Sequence, residues 1–304
     1  MVEEPGTPHG LPSIGVIGAG RVGAVLAAVL RAAGHEIAAV AGESDASRTR
    51  IELLLPGVPV AKPTTVAKAS DLLLLTVPDD ALDNVVQMLA ASGAIRPGQH
   101  VVHTSGRHGM GVLRPALEVG ARGVAMHPAM TFTGTDVDLD RLRGCVFGVT
   151  CAEPEQALAQ RLVADLGGRV VWVSETNRTL YHAALAHGAN HLVTLVAESM
   201  EMLRAAGSLD PAATLRPLLT AALDNVLAYG DAALTGPIAR GDVETVRAHV
   251  RTLSAPNRSR SALESYVAMA RATASHAVAD GRLEPRRAAV VVEVLDDALA
   301  GLVV

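Results

Sequence analysis

Aromatic side chains are almost missing from this chain: of 304 residues, one is tryptophan, three are tyrosine and two are phenylalanine. A core without large rings must be filled by alanine, valine and leucine, which suits closely packed helices and parallel strands and argues against a β-sandwich. Cysteine is equally scarce. Cys145 and Cys151 lack the spacing of a metal knuckle or a redox pair and are expected to be structural thiols in a reducing compartment. With 26 basic and 31 acidic residues the net charge is −5, and no arginine-rich block stands out, so nucleic acid is excluded as a partner. No apolar run reaches membrane-spanning length. The N-terminal MVEEPGTPHG carries acids and prolines where a secretory signal needs a basic segment followed by an apolar one. The expectation is a cytoplasmic protein with no membrane contact.

Apolar residues nonetheless make up 49% of the chain, and its length fits about two domains. From Ser13 onward the candidate strands are IGVIG (14–18), EIAAVA (36–41), VPVAK (58–62), DLLLLTV (71–77), HVVHTS (100–105), GVAMH (123–127), CVFGVT (145–150) and VVWVS (170–174). They are near-continuously apolar, as strands buried on both faces of a helix-covered parallel sheet are. After Glu175 long amphipathic segments take over, at 177–206, 210–228, 242–253, 259–280 and 284–301. The pattern predicts an α/β fold: a Rossmann-like, doubly wound parallel sheet over residues 11–175, then an all-α C-terminal domain over 176–304, with residues 1–10 as a disordered tail.

Within IGVIGAGRVG, Gly18, Gly20 and Gly23 fall in G-x-G-x-x-G spacing, directly after a strand and directly before the helix-like VGAVLAAVLRAAG. That order has a physical cause. Gly18 permits the tight turn, Gly20 admits a pyrophosphate to the backbone, and Gly23 allows close helix packing, while the helix N-terminus supplies amide donors. Gly18, Ala19, Gly20, Arg21, Val22 and Gly23 are therefore predicted to bind a dinucleotide. An NAD site usually holds the ribose with an acid at the end of the second strand; here Val40 or Ala41 stands there and Glu43 comes late. Ser44, Ser47, Arg48 and Arg50 follow, and hydroxyls with guanidinium donors suit a 2′-phosphate, so NADP is favoured over NAD. An ordinary helix N-cap by Ser44 or Asp45 is compatible with that role.

Ligands of such sheets lie beyond the strands' carboxyl ends. Val77 and Pro78, at the end of DLLLLTV, are expected to border the cofactor, as are Thr104 and Ser105 in HTSGRHG. His127, in MHPAMTF, is a candidate substrate contact, and His103 points at the same crevice. A histidine at a strand end is more often a structural hydrogen-bonder, so both roles stay open for these imidazoles.

Taken in order, GAGRVG, VPDDAL, HTSG, HPAMTF, YHAALAHGANHLVTL and TGPIARGD (Thr235 to Asp242) resemble a group of oxidoreductases that join a Rossmann-like N-terminal domain to a helical domain catalogued as DUF2520. More distantly, the layout is similar to the 6-phosphogluconate dehydrogenase-like superfamily, which includes ketopantoate reductase, pyrroline-5-carboxylate reductase and 3-hydroxyisobutyrate dehydrogenase. The resemblance implies NADP-linked reduction of a small carbonyl or imine, and a helical domain that dimerises and closes over the nicotinamide. One departure stands out. Where 2-keto-acid reductases of that superfamily carry a lysine near the start of the interdomain helix, this chain offers His182, with Asn190 two turns on, and no lysine follows Lys68.

The same helix contains LYHAALAHGANH (180–191). On an unbroken α-helix Asn190 lies about 80° around the axis from His182 and His191 about 180°, so one metal cannot collect all three histidines. His187 and His191 have i, i+4 spacing but lack an accompanying acid and third ligand, so no metal is assigned. The plain reading is a hydrogen-bonded seam that includes Asn190, Thr194 and Glu198. The functional reading makes His182 the proton donor to a reduced carbonyl, Asn190 the group that steadies its oxygen, and Tyr181 an alternative acid. Arg240, after the Gly-Pro turn of TGPIARGD, suits a substrate carboxylate or, equally, a structural or dimer contact.

The leading expectation is an NADP-dependent oxidoreductase that reduces a small carbonyl compound of the 2-keto acid type. A catalytically inactive NADP-binding sensor or assembly protein is one alternative, and an imine reductase or amine dehydrogenase is another. The apolar helices 177–206 and 259–280 lead to the expectation of a homodimer formed through the C-terminal helices.

Overall fold

In the computed structural model, residues 11–300 are described; the disordered tail expected at residues 1–10 lies outside them. The elements of the first part of the chain are β1 (Ile14–Ile17), α1 (Arg21–Ala32), β2 (Ile37–Ala41), α2 (Asp45–Leu54), α3 (Pro63–Lys68), β3 (Leu72–Leu75), α4 (Asp79–Ala91), β4 (His100–His103), α5 (Arg114–Glu118), β5 (Arg122–Pro128), α6 (Val137–Arg141), β6 (Val146–Cys151), α7 (Gln156–Asp165), β7 (Arg169–Trp172) and α8 (Arg178–Leu185). The seven strands form one sheet in the order β2-β1-β3-β4-β5-β6-β7. All neighbours are parallel except β5 and β6.

The all-apolar reading of the strands explains the layers. Along β3, Leu72 and Leu74 pack with α1, α2 and α7 on one face, while Leu73 and Leu75 pack with α3, α4 and α5 on the other. A strand with helices on both sides has no face for a polar residue, hence LLLL. Gly15 on β1 is needed for the same closeness: a Cβ there would stand 2.6 Å from Ser70 Oγ and 2.8 Å from Val66 Cγ1.

Two expectations about the sheet are corrected. The segment VPVAK (58–62) is no strand; it makes a single parallel bridge, Val40 to Val60, beside β2. Pro59 offers no amide donor and Pro63 already opens α3, so the ladder cannot extend. The sheet is also not wholly parallel. His127 on β5 faces Gly148 on β6 in antiparallel register. The intervening residues 129–145 hold only the one-turn α6, too little for the crossover that a parallel neighbour would require.

The expected division near residue 175 also shifts. The compact first unit runs to residue 189, because the α8 residue Arg178 is buried and donates to backbone carbonyls of Gly148 and Ser105. The single helix expected over 177–206 is interrupted by a π turn at Ala186–Asn190, so the uniform α-helical phase between His182 and Asn190 does not hold.

The second unit, residues 190–304, contains α9 (His191–Ala205), α10 (Pro211–Tyr229), α11 (Pro237–Arg240), α12 (Val243–Leu253), α13 (Arg260–Ala279) and α14 (Pro285–Ala300). Side-chain caps begin several of them: Asp210 Oδ1 accepts from Ala213 N at 2.9 Å and Asp242 Oδ1 from Thr245 N at 3.1 Å. The core is Val246 and Val250 of α12, Leu263 and Val267 of α13, and Val291 and Leu295 of α14. Ala270, Ala274 and Ala277 let α13 approach closely. By contrast, α9 and α10 expose Val193, Leu218, Leu223 and Leu227. Among the described residues no helix is long and apolar enough to cross a membrane.

The two-faced burial of β3 sets the cost of truncation. Leu74→Ala is expected to lower the unfolding free energy by about 2–5 kcal/mol, whereas Leu53→Ala, at a side chain 74% exposed on α2, is expected to change it by less than about 0.5 kcal/mol. Urea denaturation of the two variants measures both, and equal effects would contradict the packing described.

Candidate functional site

The carboxyl ends of β1, β3, β4 and β5 lie on one edge of the sheet, and the chemistry-bearing residues gather there. At β1 the chain turns through Gly18 with φ +99°, a conformation glycine adopts without strain. A Cβ at Gly18 would lie 2.7 Å from Val77 N, and one at Gly23 would run into Thr76 Oγ1 and Gly18 O. Thr76 Oγ1 donates to Gly18 O at 2.6 Å and so locks the turn against the end of β3. Gly20 differs: a Cβ there would meet nothing nearer than Gly18 O at 3.9 Å, on the side open to a ligand. No side chain caps α1 at Gly20. The first-turn amides of Arg21, Val22 and Gly23 therefore have no side-chain acceptor at the cap and sit at the positive end of a 12-residue helix. This fits a pyrophosphate.

At the end of β2, Ser44 is the N-cap of α2, its Oγ accepting from Ser47 N at 3.2 Å. Arg48 is exposed and only 4.0 Å from Asp45, a loose surface pair. Across from them, the loop after β5 brings Gly134 (φ +81°) against two arginines: a Cβ there would lie 2.6 Å from both Arg21 Cγ and Arg50 Nε. The stem of Arg21 and the guanidinium of Arg50, from different helices, thus meet at this glycine. Of the residues at the end of β3, Val77 is half-buried and Pro78 exposed at the start of α4, where Asp79 and Asp80 occupy the first turn.

Beyond β4, Thr104 is half-buried and Ser105 buried. Ser105 Oγ accepts from His108 N at 3.1 Å, which fixes the oxygen and leaves its O–H as a donor. His103 is fully buried; its Nε2 donates to Gly109 O at 2.9 Å and its Nδ1 accepts from Ser105 N at 3.2 Å. Both nitrogens are used by a neutral ring, and burial above all pushes the imidazole down to about 4. His103 is a loop staple, the structural alternative read from the sequence.

His127, Tyr181 and His182 form the second half of the site. The Tyr181 hydroxyl lies 3.1 Å from His127 Nδ1, and the rings meet edge to face at 5.7 Å. His182 stands edge to face with His127 at 5.8 Å. Two glycines make room for them. A Cβ on Gly106 would collide with the His182 ring and come within 3.1 Å of His127 Cδ2, and a Cβ on Gly148 would lie 2.5 Å from Tyr181 Oη. Burial, then the Arg178 charge and then that of His182, push His127 down to about 4. Burial also raises the Tyr181 phenol, against the opposing pull of Arg178.

Sequence reasoning did not single out Arg178, Gly106 or Gly148. A visible signal existed only for Arg178, a charged residue at the start of an otherwise alanine-rich helix, and nothing in its spacing announces burial. Asn190 and Arg240 belong to the second unit, where both are exposed and Arg240 ends α11. Among the described residues no group of three or more His, Cys, Asp or Glu is placed to hold a metal. A groove of about 960 Å³ lies between Met110, Leu117, Thr150, Trp172 and Glu175; the glycine turn, His127 and Tyr181 do not line it.

Comparison with known proteins agrees with this layout. Residues 6–128 match the model of the Rossmann-like domain family, and residues 145–273 match that of the domain of unknown function DUF2520. The chain joins a Rossmann-like domain to a DUF2520 domain. The DUF2520 segment takes in β6, β7 and α8 as well as α9 to α12 and part of α13. The chain is 31% identical over 169 residues to glycerol-3-phosphate dehydrogenase (NAD(P)+) of Bradyrhizobium sp. (strain ORS 278), which covers 52% of this chain and 51% of that protein. It spans about half the length of the curated relatives it matches. Among solved structures, BF3122 of Bacteroides fragilis, provisionally named an NADP oxidoreductase, superposes with a TM-score of 0.74 at 21% identity over 87% of this chain and 98% of its own. An imine reductase from Pseudomonas sp. gives a TM-score of 0.61 at 18% identity over 95% and 100%. The fold is that of NAD(P)-binding oxidoreductases.

The depressed histidines carry a pH signature. His103 and His127 are held near 4 in the folded chain against about 6.5 unfolded, so between those values the unfolded chain binds more protons. Their contribution is complete above about pH 6.5 and is lost as pH falls toward 4, by roughly 3 kcal/mol each at most. Urea titrations between pH 7 and 4.5 are expected to show this loss, with a shallower slope in His127→Asn. A stability independent of pH over that window would refute the assignment.

Proposed function

We propose that this protein is an NADP-dependent oxidoreductase that reduces a small carbonyl compound, of the 2-keto acid type, by hydride transfer. The observation that carries the reading is the Tyr181 hydroxyl held 3.1 Å from His127 Nδ1 on the same sheet edge as a glycine turn whose Gly20 side is open. The Bradyrhizobium relative's name, which includes NAD(P)+, supports the cofactor class.

In this reading the amides of Arg21, Val22 and Gly23 hold the pyrophosphate against the turn formed by Gly18, Ala19 and Gly20, whose own amides donate to Ala41 O and Gly18 O, and Val77, Pro78 and Thr104 border the nucleotide. Ser105 contributes its hydroxyl hydrogen, because its backbone N and O are taken by His103 Nδ1 and Arg178 Nη2 while its Oγ only accepts from His108 N. Ser44 and Arg48 receive the 2′-phosphate that distinguishes NADP from NAD, with Arg21 and Arg50 nearby. When bound, the nicotinamide would supply the hydride. Charge then builds on the carbonyl oxygen, and Tyr181 gives it the phenolic proton. His127, neutral at physiological pH, donates from Nδ1 to the phenolate oxygen left behind, and solvent restores the proton. His182 stands against the same imidazole as a further polar contact for substrate. Asn190 and Arg240 enter as expectations from the sequence, the first to steady the oxygen and the second to meet a carboxylate.

An imine reductase is the second reading, favoured by the likeness to the Pseudomonas enzyme. The free thiols Cys145 and Cys151 fit a reducing compartment, the cytoplasm. The exposed apolar residues of α9 and α10, Val193, Leu218 and Leu227 among them, support a homodimer through these helices. Light scattering at micromolar concentration tests that association, and a monomer with an unchanged melting temperature on dilution removes it.

The activity is tested by NADPH binding and by turnover with a panel of keto acids and imines. Gly20→Ala is expected to leave the melting temperature in place and to weaken NADPH binding at least about tenfold, because the added methyl meets only the ligand. Tyr181→Phe is expected to keep NADPH affinity and lower kcat by about a hundredfold or more. Unaltered NADPH binding by Gly20→Ala, or full activity of Tyr181→Phe, would remove the respective role. Binding without turnover across the panel would leave a nucleotide sensor.

A further inference from the structure

Arg178 is 1% exposed and forms no ion pair among the described residues. Its Nε donates to His108 O at 2.9 Å, Nη1 to Gly148 O at 2.9 Å and to Thr150 Oγ1 at 3.4 Å, and Nη2 to Ser105 O. All these acceptors are neutral, so the donors are satisfied and the charge is not cancelled. A guanidinium does not shed its proton in such a site. Two carboxylates reach it with their fields, Glu175 and Asp79, and neither forms an ion pair with it. Glu175 accepts from Met110 N at 2.7 Å and Gly111 N at 3.1 Å, and Asp79 lies 3.3 Å from Arg107 Nε.

The charge lies 5.8 Å from the centroid of the Tyr181 ring, and that ring carries the hydroxyl paired with His127. Around that hydroxyl, His103 and His127 are neutral at physiological pH, chiefly through burial and then, for His127, through Arg178 itself. The cluster around the hydroxyl therefore holds one permanent positive charge, and the two carboxylates whose fields reach it make no ion pair with it among the described residues. A carbonyl whose oxygen gains negative charge on reduction is stabilised there, and so is an anionic substituent. An iminium, which arrives positive, is opposed.

We infer that Arg178 is the specificity-determining residue of this site, selecting an anionic carbonyl compound, a carboxylate or a phosphate ester, over a cationic iminium. The inference rests on the oxidoreductase reading and names its substrate class. Arg178 acts through space on whatever lies against Tyr181 and touches neither substrate nor nucleotide.

The test is a charge series of small ligands titrated calorimetrically into the protein, with and without saturating NADP+: propionate, inorganic phosphate, propanamide and propylammonium. In the wild type, propionate is expected to bind at least about tenfold more tightly than propylammonium, with propanamide between them; phosphate against propionate separates the two anion classes. Arg178→Lys is expected to keep the order and Arg178→Gln to abolish it without changing the Kd for NADP+, a pattern that loss of a merely structural bracket does not produce. Equal or reversed affinities for propionate and propylammonium in the wild type, or no propionate binding, overturn the inference, and this series decides even where Arg178→Gln fails to fold. Failure of NADP+ to bind would sink the oxidoreductase reading separately, since the propionate and propylammonium order is read in both titrations.

Discussion

The arrangement of the reactive side chains depends on one buried guanidinium. Arg178, the first residue of α8, donates to the loop after β4 through Ser105 and His108 and to β6 through Gly148 and Thr150. Those bonds draw a helix that the amphipathic pattern assigned to the C-terminal domain onto the Rossmann sheet. Tyr181 and His182 follow on the next turn and so reach His127 at the end of β5. A buried charge of this kind is costly unless it is hydrogen-bonded, and three neutral carbonyls with the Thr150 hydroxyl engage all three of its nitrogens while leaving its field intact.

A second constraint, purely steric, shapes the nucleotide side. Thr76 at the end of β3 closes on Gly18 and Gly23 so tightly that neither position accepts a methyl group, whereas Gly20 has space in front of it. The distinction among three glycines of one motif separates those that pack the protein from the one that faces a ligand. The same economy recurs around His127, where Gly106 and Gly148 are bare because imidazole and phenol rings occupy the volume their side chains would take.

Much of this was legible from residue order. The alternation of apolar runs identified all seven strands, and the glycine spacing located the turn at β1, because burial on both faces and tight turning each demand particular residue types locally. The eighth run, VPVAK, failed because Pro59 and Pro63 deny it a ladder, a local signal that outweighs its apolar character. The antiparallel placement of β6 was not legible, since it depends on how far the 129–145 connection reaches and not on the strand's own composition. Likewise His103 read as a candidate for the crevice, but both of its ring nitrogens are used within one loop.

By itself, then, the sequence determined the layered α/β architecture, the nucleotide-binding turn and the helical character of the remainder, because periodicity and glycine placement are properties of neighbours in the chain. Tertiary structure alone decided that Tyr181 pairs with His127, 54 positions away, and that Arg178 is buried with no ion pair among the described residues. Those facts arise where α8, β4, β5 and β6 converge. No short-range pattern records the distance between a phenol and an imidazole on separate elements, or the charge left uncancelled between them.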